Sequence, residues 1–223
     1  MKELLGRPLN HYENRYAPER FFVSGALTIP FDSPRVAVVG TRHPSLEGVE
    51  FTRKLVSKLV QSNIIIVSGL AKGIDTAAHR AAIEYGGRTV AVLGTPLDKF
   101  YPPENQSLQQ LIMKDHLAVS QFPLGHKTCR YDFIKRNRTM ALISDASIIV
   151  EVREKSGALS QGWETIRLGR PLFIAPLVQE KGLKWSEKMM EYGAQSLKLK
   201  NLKEMLSMLP RYPSLKHDVL YTF

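Results

Sequence analysis

The sequence is short of cysteine, of acidic residues and of long apolar runs, and each shortage excludes something. A single cysteine, Cys129, rules out an internal disulfide and a zinc site built on several thiolates. No apolar run approaches the ~18 residues that span a bilayer, and the opening MKELLGRPLN lacks the apolar stretch of a secretory signal. A cytoplasmic protein with no membrane role is expected. Asp and Glu number 21 against 31 Lys and Arg, a net charge of +10. Such an excess suits phosphate-rich partners or serves solubility, and says nothing about fold.

What is present is ordinary for a soluble globular chain: 223 residues, 43% apolar and 23% charged, enough for one large domain. Five apolar runs, RVAVVG (35–40), NIIIVSG (63–69), RTVAVLG (88–94), ASIIVEV (146–152) and RPLFIAP (170–176), alternate with helix-like segments. A weaker run, HLAVSQF (116–122), sits between the third and fourth. After the first run, Phe51, Leu55, Val56, Leu59 and Val60 fall on one helical face. Continuous β-branched runs between helices are the pattern of buried parallel strands. The expectation is an extended Rossmann-like, doubly wound α/β fold, its mostly parallel sheet covered by helices on both faces. Residues 1–34 read as an N-terminal extension in which RFFVSGALTIP forms an edge hairpin; 35–209 form the core domain; 210–223 form a tail. Near the C-terminus, SLKLK reads as an edge strand between two short amphipathic helices.

Sites in such sheets lie at the C-terminal ends of strands. After the first run, Gly40 permits a tight turn, Thr41 offers a hydroxyl and Arg42 a fork suited to phosphate, although an arginine on a turn is often merely solvated. The spacing there fails the dinucleotide fingerprint. After the second run comes SGLAKGIDTAAH (68–79), which is not a Walker A loop. Ser68 and Gly69 offer backbone N–H groups, Lys72 a charge, and Gly73 a close approach. Asp75 is read as the N-cap of the next helix and His79 as a hydrogen-bonded structural histidine. Phe133, Lys135, Arg136, Asn137 and Arg138 open a further helix, a pattern for backbone phosphates beside a stacked base or for an arginine-salted helix face. Ser156 and Gly157 start another helix, a ready anion site, and Glu151 is expected to pair with an arginine or accept a ribose hydroxyl. Together these residues predict one positive groove along a single sheet edge.

VAVVGTR, VSGLAKGIDTAAH, VAVLGTPLDKFYPPEN, FIKRNR and IIVEVREKSGAL followed by GRPLFI stand in the order and spacing of the DNA-processing protein A (DprA, or Smf) family, which the chain resembles from about Arg20 to about Leu209. The resemblance implies a non-enzymatic protein, without cofactor or metal, that binds and protects single-stranded DNA. It also implies a recombination mediator that helps load the RecA recombinase, as in natural transformation, and a homodimer. It assigns DNA contact to Arg42, Lys72 and the Phe133–Arg138 segment, and backbone contact with phosphate to Ser156 and Gly157. Two departures stand out: Gln121 replaces an acid common in the family, and Ser160, Gln161, Gly162 and Trp163 follow SGAL in place of the usual threonine and alanine. Neither an N-terminal helical domain nor a C-terminal winged helix fits the flanks, so a minimal version is expected; Trp163 and the C-terminal helices are candidate dimer contacts. The alternative is a Rossmann-like nucleotide sensor or phosphoribohydrolase. Against a hydrolase, EKSGALSQGWE lacks the P-G-G-x-G-T pattern, and Glu164 alone does not make that active site.

Overall fold

The computed structural model describes residues 1–152, 156–179 and 183–212. Among them, eight strands form one sheet: β1 (Phe22–Gly25), β2 (Arg35–Val39), β3 (Ile65–Ser68), β4 (Thr89–Leu93), β5 (Leu117–Ser120), β6 (Ala146–Ile149), β7 (Leu172–Ile174) and β8 (Gln195–Ser196). The helices are α1 (Lys2–Leu5), α2 (His11–Tyr16), α3 (Leu46–Gln61), α4 (Ile74–Glu84), α5 (Gln106–Asp115), α6 (Arg130–Ile143), α7 (Gly157–Arg167), α8 (Pro176–Gln179), α9 (Lys184–Glu191) and α10 (Leu202–Ser207).

The strand order is β1-β5-β4-β3-β2-β6-β7-β8, parallel throughout except for β1 against β5. The chain therefore starts its core at β2, builds outward through β3, β4 and β5, and returns to place β6 on the other side of β2. Crossovers to both sides open a crevice between β2 and β6 at the strands' C-terminal ends, where such folds hold ligands. Period-two alternation sends neighbouring residues of each strand into different cores. Ala37, Val39, Ile65, Val67 and Ile149 meet Met140 and Ile143 of α6 and Ala158 of α7. Val36, Val38, Ile66 and Ile148 meet Leu55, Val56 and Leu59 of α3 and Ala78, Ala81 and Ala82 of α4. All six expected apolar runs supply parallel strands, which is the doubly wound arrangement.

Both expected edges differ in detail. RFFVSGALTIP is one antiparallel strand, not a hairpin. After Leu27 donates to the carbonyl of His116 (3.0 Å), Pro30, which has no N–H, leads the chain away, and Phe31 donates to Leu4 (3.1 Å) beneath the sheet. Of SLKLK, Ser196 lies in β8 beside Gln195 and Leu197 N–H donates to the Ile174 carbonyl (2.9 Å), before a 3₁₀ turn at Leu199–Asn201. The first residues are built into the main core: Leu4, Leu5 and Phe31 are buried in it, and Glu13 is held by Arg7 (2.7 Å) and Arg170 (2.6 Å). Tyr212, in the expected tail, donates its hydroxyl to Asp145 (3.2 Å); the rest of that tail, 213–223, lies outside the described residues.

Candidate nucleic-acid interface

The loop after β2 is built to leave one arginine outside. Thr41 N–H donates to the carbonyl of Glu151 (2.6 Å), joining the β2 and β6 loops across the crevice. A Cβ on Gly40 would strike Ile74 at 2.5 Å and the Glu151 carbonyl at 2.8 Å, so no other residue lets these loops close. The Thr41 hydroxyl, expected to face a ligand, is buried and accepts from His43 N–H (3.2 Å). Glu151 accepts from both the N–H (2.9 Å) and the hydroxyl (3.0 Å) of Ser45, the N-cap of α3. Arg42 is exposed and, among the described residues, makes no hydrogen bond or ion pair.

The loop after β3 turns inward. Ser68 donates its hydroxyl to the Val38 carbonyl (2.7 Å) and is fully buried. Asp75 is not the N-cap of α4: Gly73 takes that place with φ +79°, where a Cβ would collide with Thr41, Arg42 and Pro44. From within the first turn, the Asp75 carboxylate instead reaches back to accept from Gly69 N–H (3.2 Å) and Ala71 N–H (3.4 Å). Gly69 N–H is therefore already committed and does not face a phosphate. Burial pushes the Asp75 carboxyl above its ordinary range, and the charge of Arg136 opposes that. His79 is sealed under α4, its Nδ1 2.7 Å from the Thr89 hydroxyl, which itself donates to the Ile66 carbonyl (2.9 Å). Nδ1 therefore carries the proton, and burial, with His116 nearby, pulls the pKa down to about 3. It is a neutral structural histidine. Lys72 is exposed but ion-paired with Glu104 (2.5 Å).

The cations of α6 do not line one groove. At 100° per residue, Phe133, Arg136, Asn137 and Met140 share the face over the crevice, whereas Lys135 and Arg138 point the other way. Arg136 is buried: its Nη1 donates to the carbonyls of Gly69 and Val92 (3.1 Å to the latter), and its Nε to Asn137 (3.0 Å). A Cβ on Gly69 would overlap the guanidinium, so that glycine makes room for Arg136. Asn137 donates to the Gly157 carbonyl (3.1 Å), tying α6 to the start of α7. Phe133 packs on Gly94, where a Cβ would meet its ring at 2.6 Å, with Tyr101 beside it at 5.3 Å between ring centres. Lys135 lies 3.7 Å from Asp132. Arg138 pairs with Glu164 (3.0 Å), a carboxylate that Arg167 also holds (2.9 Å), and neither arginine reaches the crevice.

What the crevice holds is a pocket of about 80 Å³ lined by Arg42, Asp75, Phe133, Arg136, Asn137, Ser156, Gly157 and Gln161, among others. Ser156 caps α7, its hydroxyl accepting from Ala158 N–H (3.3 Å), so the positive end of an 11-residue helix opens there. Sequence reasoning missed Gln161, one turn into α7, which is fully buried in the pocket lining with its Oε1 unpartnered among the described residues. It also missed Tyr101, 42% exposed beside Phe133. The aromatic flanked by prolines in KFYPPEN at a strand's C-terminal end was the available signal for Tyr101; Gln161, four residues past Gly157, was legible only once the helix start was known. Trp163, a candidate dimer contact, packs edge-on against Tyr192 of the same chain (5.5 Å). Among the described residues no cluster of His, Cys, Asp and Glu has the makings of a metal site, and no helix is long and apolar enough to cross a membrane.

Comparison with known proteins gives this geometry a family. Residues 7–210 match the model for DNA recombination-mediator protein A. The DNA processing protein DprA of Streptococcus pneumoniae is 42% identical over 160 residues, which cover 72% of this chain and 56% of that protein. Protein Smf of Synechocystis is 44% identical over 143 residues, covering 64% of this chain and 36% of Smf. The chain thus spans about half or less of the length of these relatives. The Streptococcus pneumoniae DprA crystal structure superposes with a TM-score of 0.76 at 37% identity over 87% of this chain and 68% of that one. DNA processing protein A from Helicobacter pylori, a structure concerned with its single-stranded DNA binding mode, gives 0.75 at 26% identity over 86% of this chain and 89% of that one. By sequence and by fold, the chain belongs to the DNA recombination-mediator protein A family.

Proposed function

We propose that the chain binds single-stranded DNA across the β2/β6 crevice, without catalysis, and acts as a recombination mediator that protects the strand and helps load RecA. The observation that carries this reading is Arg42: an exposed arginine, unpartnered among the described residues, at the mouth of a pocket lined also by the Phe133 ring and the N-terminus of α7. A guanidinium fork and the positive end of α7 suit a phosphate, and Phe133 with Tyr101 suits a base freed from its stack. Duplex DNA keeps its bases stacked and offers the pocket only backbone, so single strands are preferred.

The other expected contacts take different roles. Arg136 and Asp75 hold the β3 and β4 loops at a fixed spacing, and Asn137 holds α7 against α6; these are positioning residues. Lys72 reaches a phosphate by exchanging Glu104 for it, since an exposed ion pair of this kind is worth only about 0–1 kcal/mol. RecA loading, the homodimer and a cytoplasmic setting are extensions of family membership. The function is tested by fluorescence anisotropy with single- and double-stranded oligonucleotides over a salt series, with ATP and NAD as competitors. The proposal expects single-strand preference and a log–log salt slope of about −0.7 per phosphate contacted. Equal weak binding of both forms with displacement by ATP or NAD contradicts it and favours a nucleotide sensor.

A further inference from the structure

On the face of α6 turned away from the crevice lies a larger hollow of about 530 Å³, within the range of small-molecule sites. Its walls combine two kinds of surface. Phe22 of the edge strand and Pro123 supply flat apolar area, His126 covers the buried Phe122 ring by stacking on it (4.8 Å), and the Arg138 guanidinium lies 4.7 Å over the ring of Tyr16, a second planar element. Arg20, Lys135 and Arg138 supply positive charge against the one carboxylate of the lining, Glu19. Arg20 is exposed and, among the described residues, unpartnered. Arg138 shares one carboxylate, Glu164, with Arg167, so these three side chains together carry one net positive charge. Lys135 is only loosely paired at 3.7 Å. Gln121 contributes a neutral amide to the wall, its Oε1 fixed by the Thr139 hydroxyl (2.6 Å).

We propose that this hollow is a nucleotide site separate from the crevice, taking one base against its planar walls and the attached phosphate among Arg20, Lys135 and Arg138. Base faces stack on aromatic and guanidinium planes, and clustered cations that lack full counter-charge attract phosphate. The nucleotide is either free or one unit of a strand. The site stands on its own residues and does not depend on what the crevice binds.

The test uses the full chain and two fluorescent probes: 2-aminopurine deoxyribonucleoside 5′-monophosphate, and oligothymidylate carrying one 2-aminopurine, each measured up to saturation. Stacking quenches the base. Gln121→Glu, which keeps the Thr139 hydrogen bond and places one negative charge beside the phosphate, weakens the quenched complex about tenfold. Arg20→Ala, at a side chain with no internal partner among the described residues, weakens it about fivefold, and both variants keep the parent melting temperature. Arg42→Ala leaves quenching at saturation in place. Quenching of the mononucleotide identifies the ligand as free nucleotide; quenching of the strand probe alone, weakened in Gln121→Glu and kept in Arg42→Ala, identifies it as a strand unit. Absence of quenching with both probes overturns the proposal. So does quenching that is lost in Arg42→Ala and kept in Gln121→Glu, which assigns the nucleotide to the crevice.

Discussion

Replacing Arg136 with alanine separates the role that its sequence context suggests from the one its position gives it. An arginine in the run Lys-Arg-Asn-Arg reads as a phosphate ligand, yet this one is buried with its Nη1 on the carbonyls of Gly69 and Val92. Alanine leaves both carbonyls without that donor and leaves Asp75 buried without the cation that offsets its desolvation. Stripping the donor from two carbonyls and the nearby charge from a buried carboxylate costs about 3–5 kcal/mol. In a chain of this size each kcal/mol moves the melting temperature by roughly 2–4 °C, so the fall is about 6–20 °C. Adding Asp75→Asn removes the stranded carboxylate while keeping an acceptor for Gly69 N–H, and recovers part of the loss. The pH dependence has a definite sign. Without Arg136 the Asp75 pKa rises further, so the folded state binds more protons than the unfolded state above the ordinary carboxylate range, and stability falls as pH rises through that window. The single variant therefore regains stability between pH 7 and 5, and the double variant does not. Thermal unfolding followed by circular dichroism at both pH values reads all of this. A parent-like melting temperature combined with lost DNA affinity would refute the structural role and return Arg136 to the binding surface.

Two further outcomes follow from the same geometry. The His79 pKa is depressed to about 3, so its stabilising effect is complete above the unfolded value of 6.5 and is lost as pH falls toward 3, at about 1.4 kcal/mol per pH unit; His79→Gln flattens that acid limb in pH-dependent melting curves, and an unchanged slope contradicts the assignment. Glu104→Gln frees Lys72 from its ion pair and raises single-strand affinity up to about fivefold in anisotropy titrations, whereas a fall in affinity would make Glu104 part of the contact.

The fold was legible because buried parallel strands declare themselves: six β-branched runs separated by amphipathic helices gave β2 to β7. The edges were less so, since a strand exposed on one side carries little pattern; β8 keeps only Gln195 and Ser196. In the site, the helical period already separates Lys135 and Arg138 from Phe133 and Asn137. That Arg136 is buried was not legible, because burying a guanidinium depends on the carbonyls of Gly69 and Val92, 67 and 44 residues away in sequence. Asp75 misled for a related reason: Asp before a helix signals a cap, but Gly73 with its positive φ starts α4 two residues earlier, and the carboxylate then serves the loop. Arg42 after its glycine turn was legible as a phosphate fork or a merely solvated arginine, and its position leaves it an exposed charge over the crevice.

The measurement that bears most directly on that assignment is the single-strand affinity of Arg42→Ala beside its melting temperature. Because Arg42 has no internal partner among the described residues, the melting temperature stays within 1–2 °C of the parent, the range of a neutral surface change. Affinity for an oligothymidylate falls roughly tenfold and the salt slope shrinks by about 0.7, the signature of one lost phosphate contact. A folded variant that binds with parent affinity and an unchanged slope would contradict the account and move the DNA away from the β2/β6 crevice.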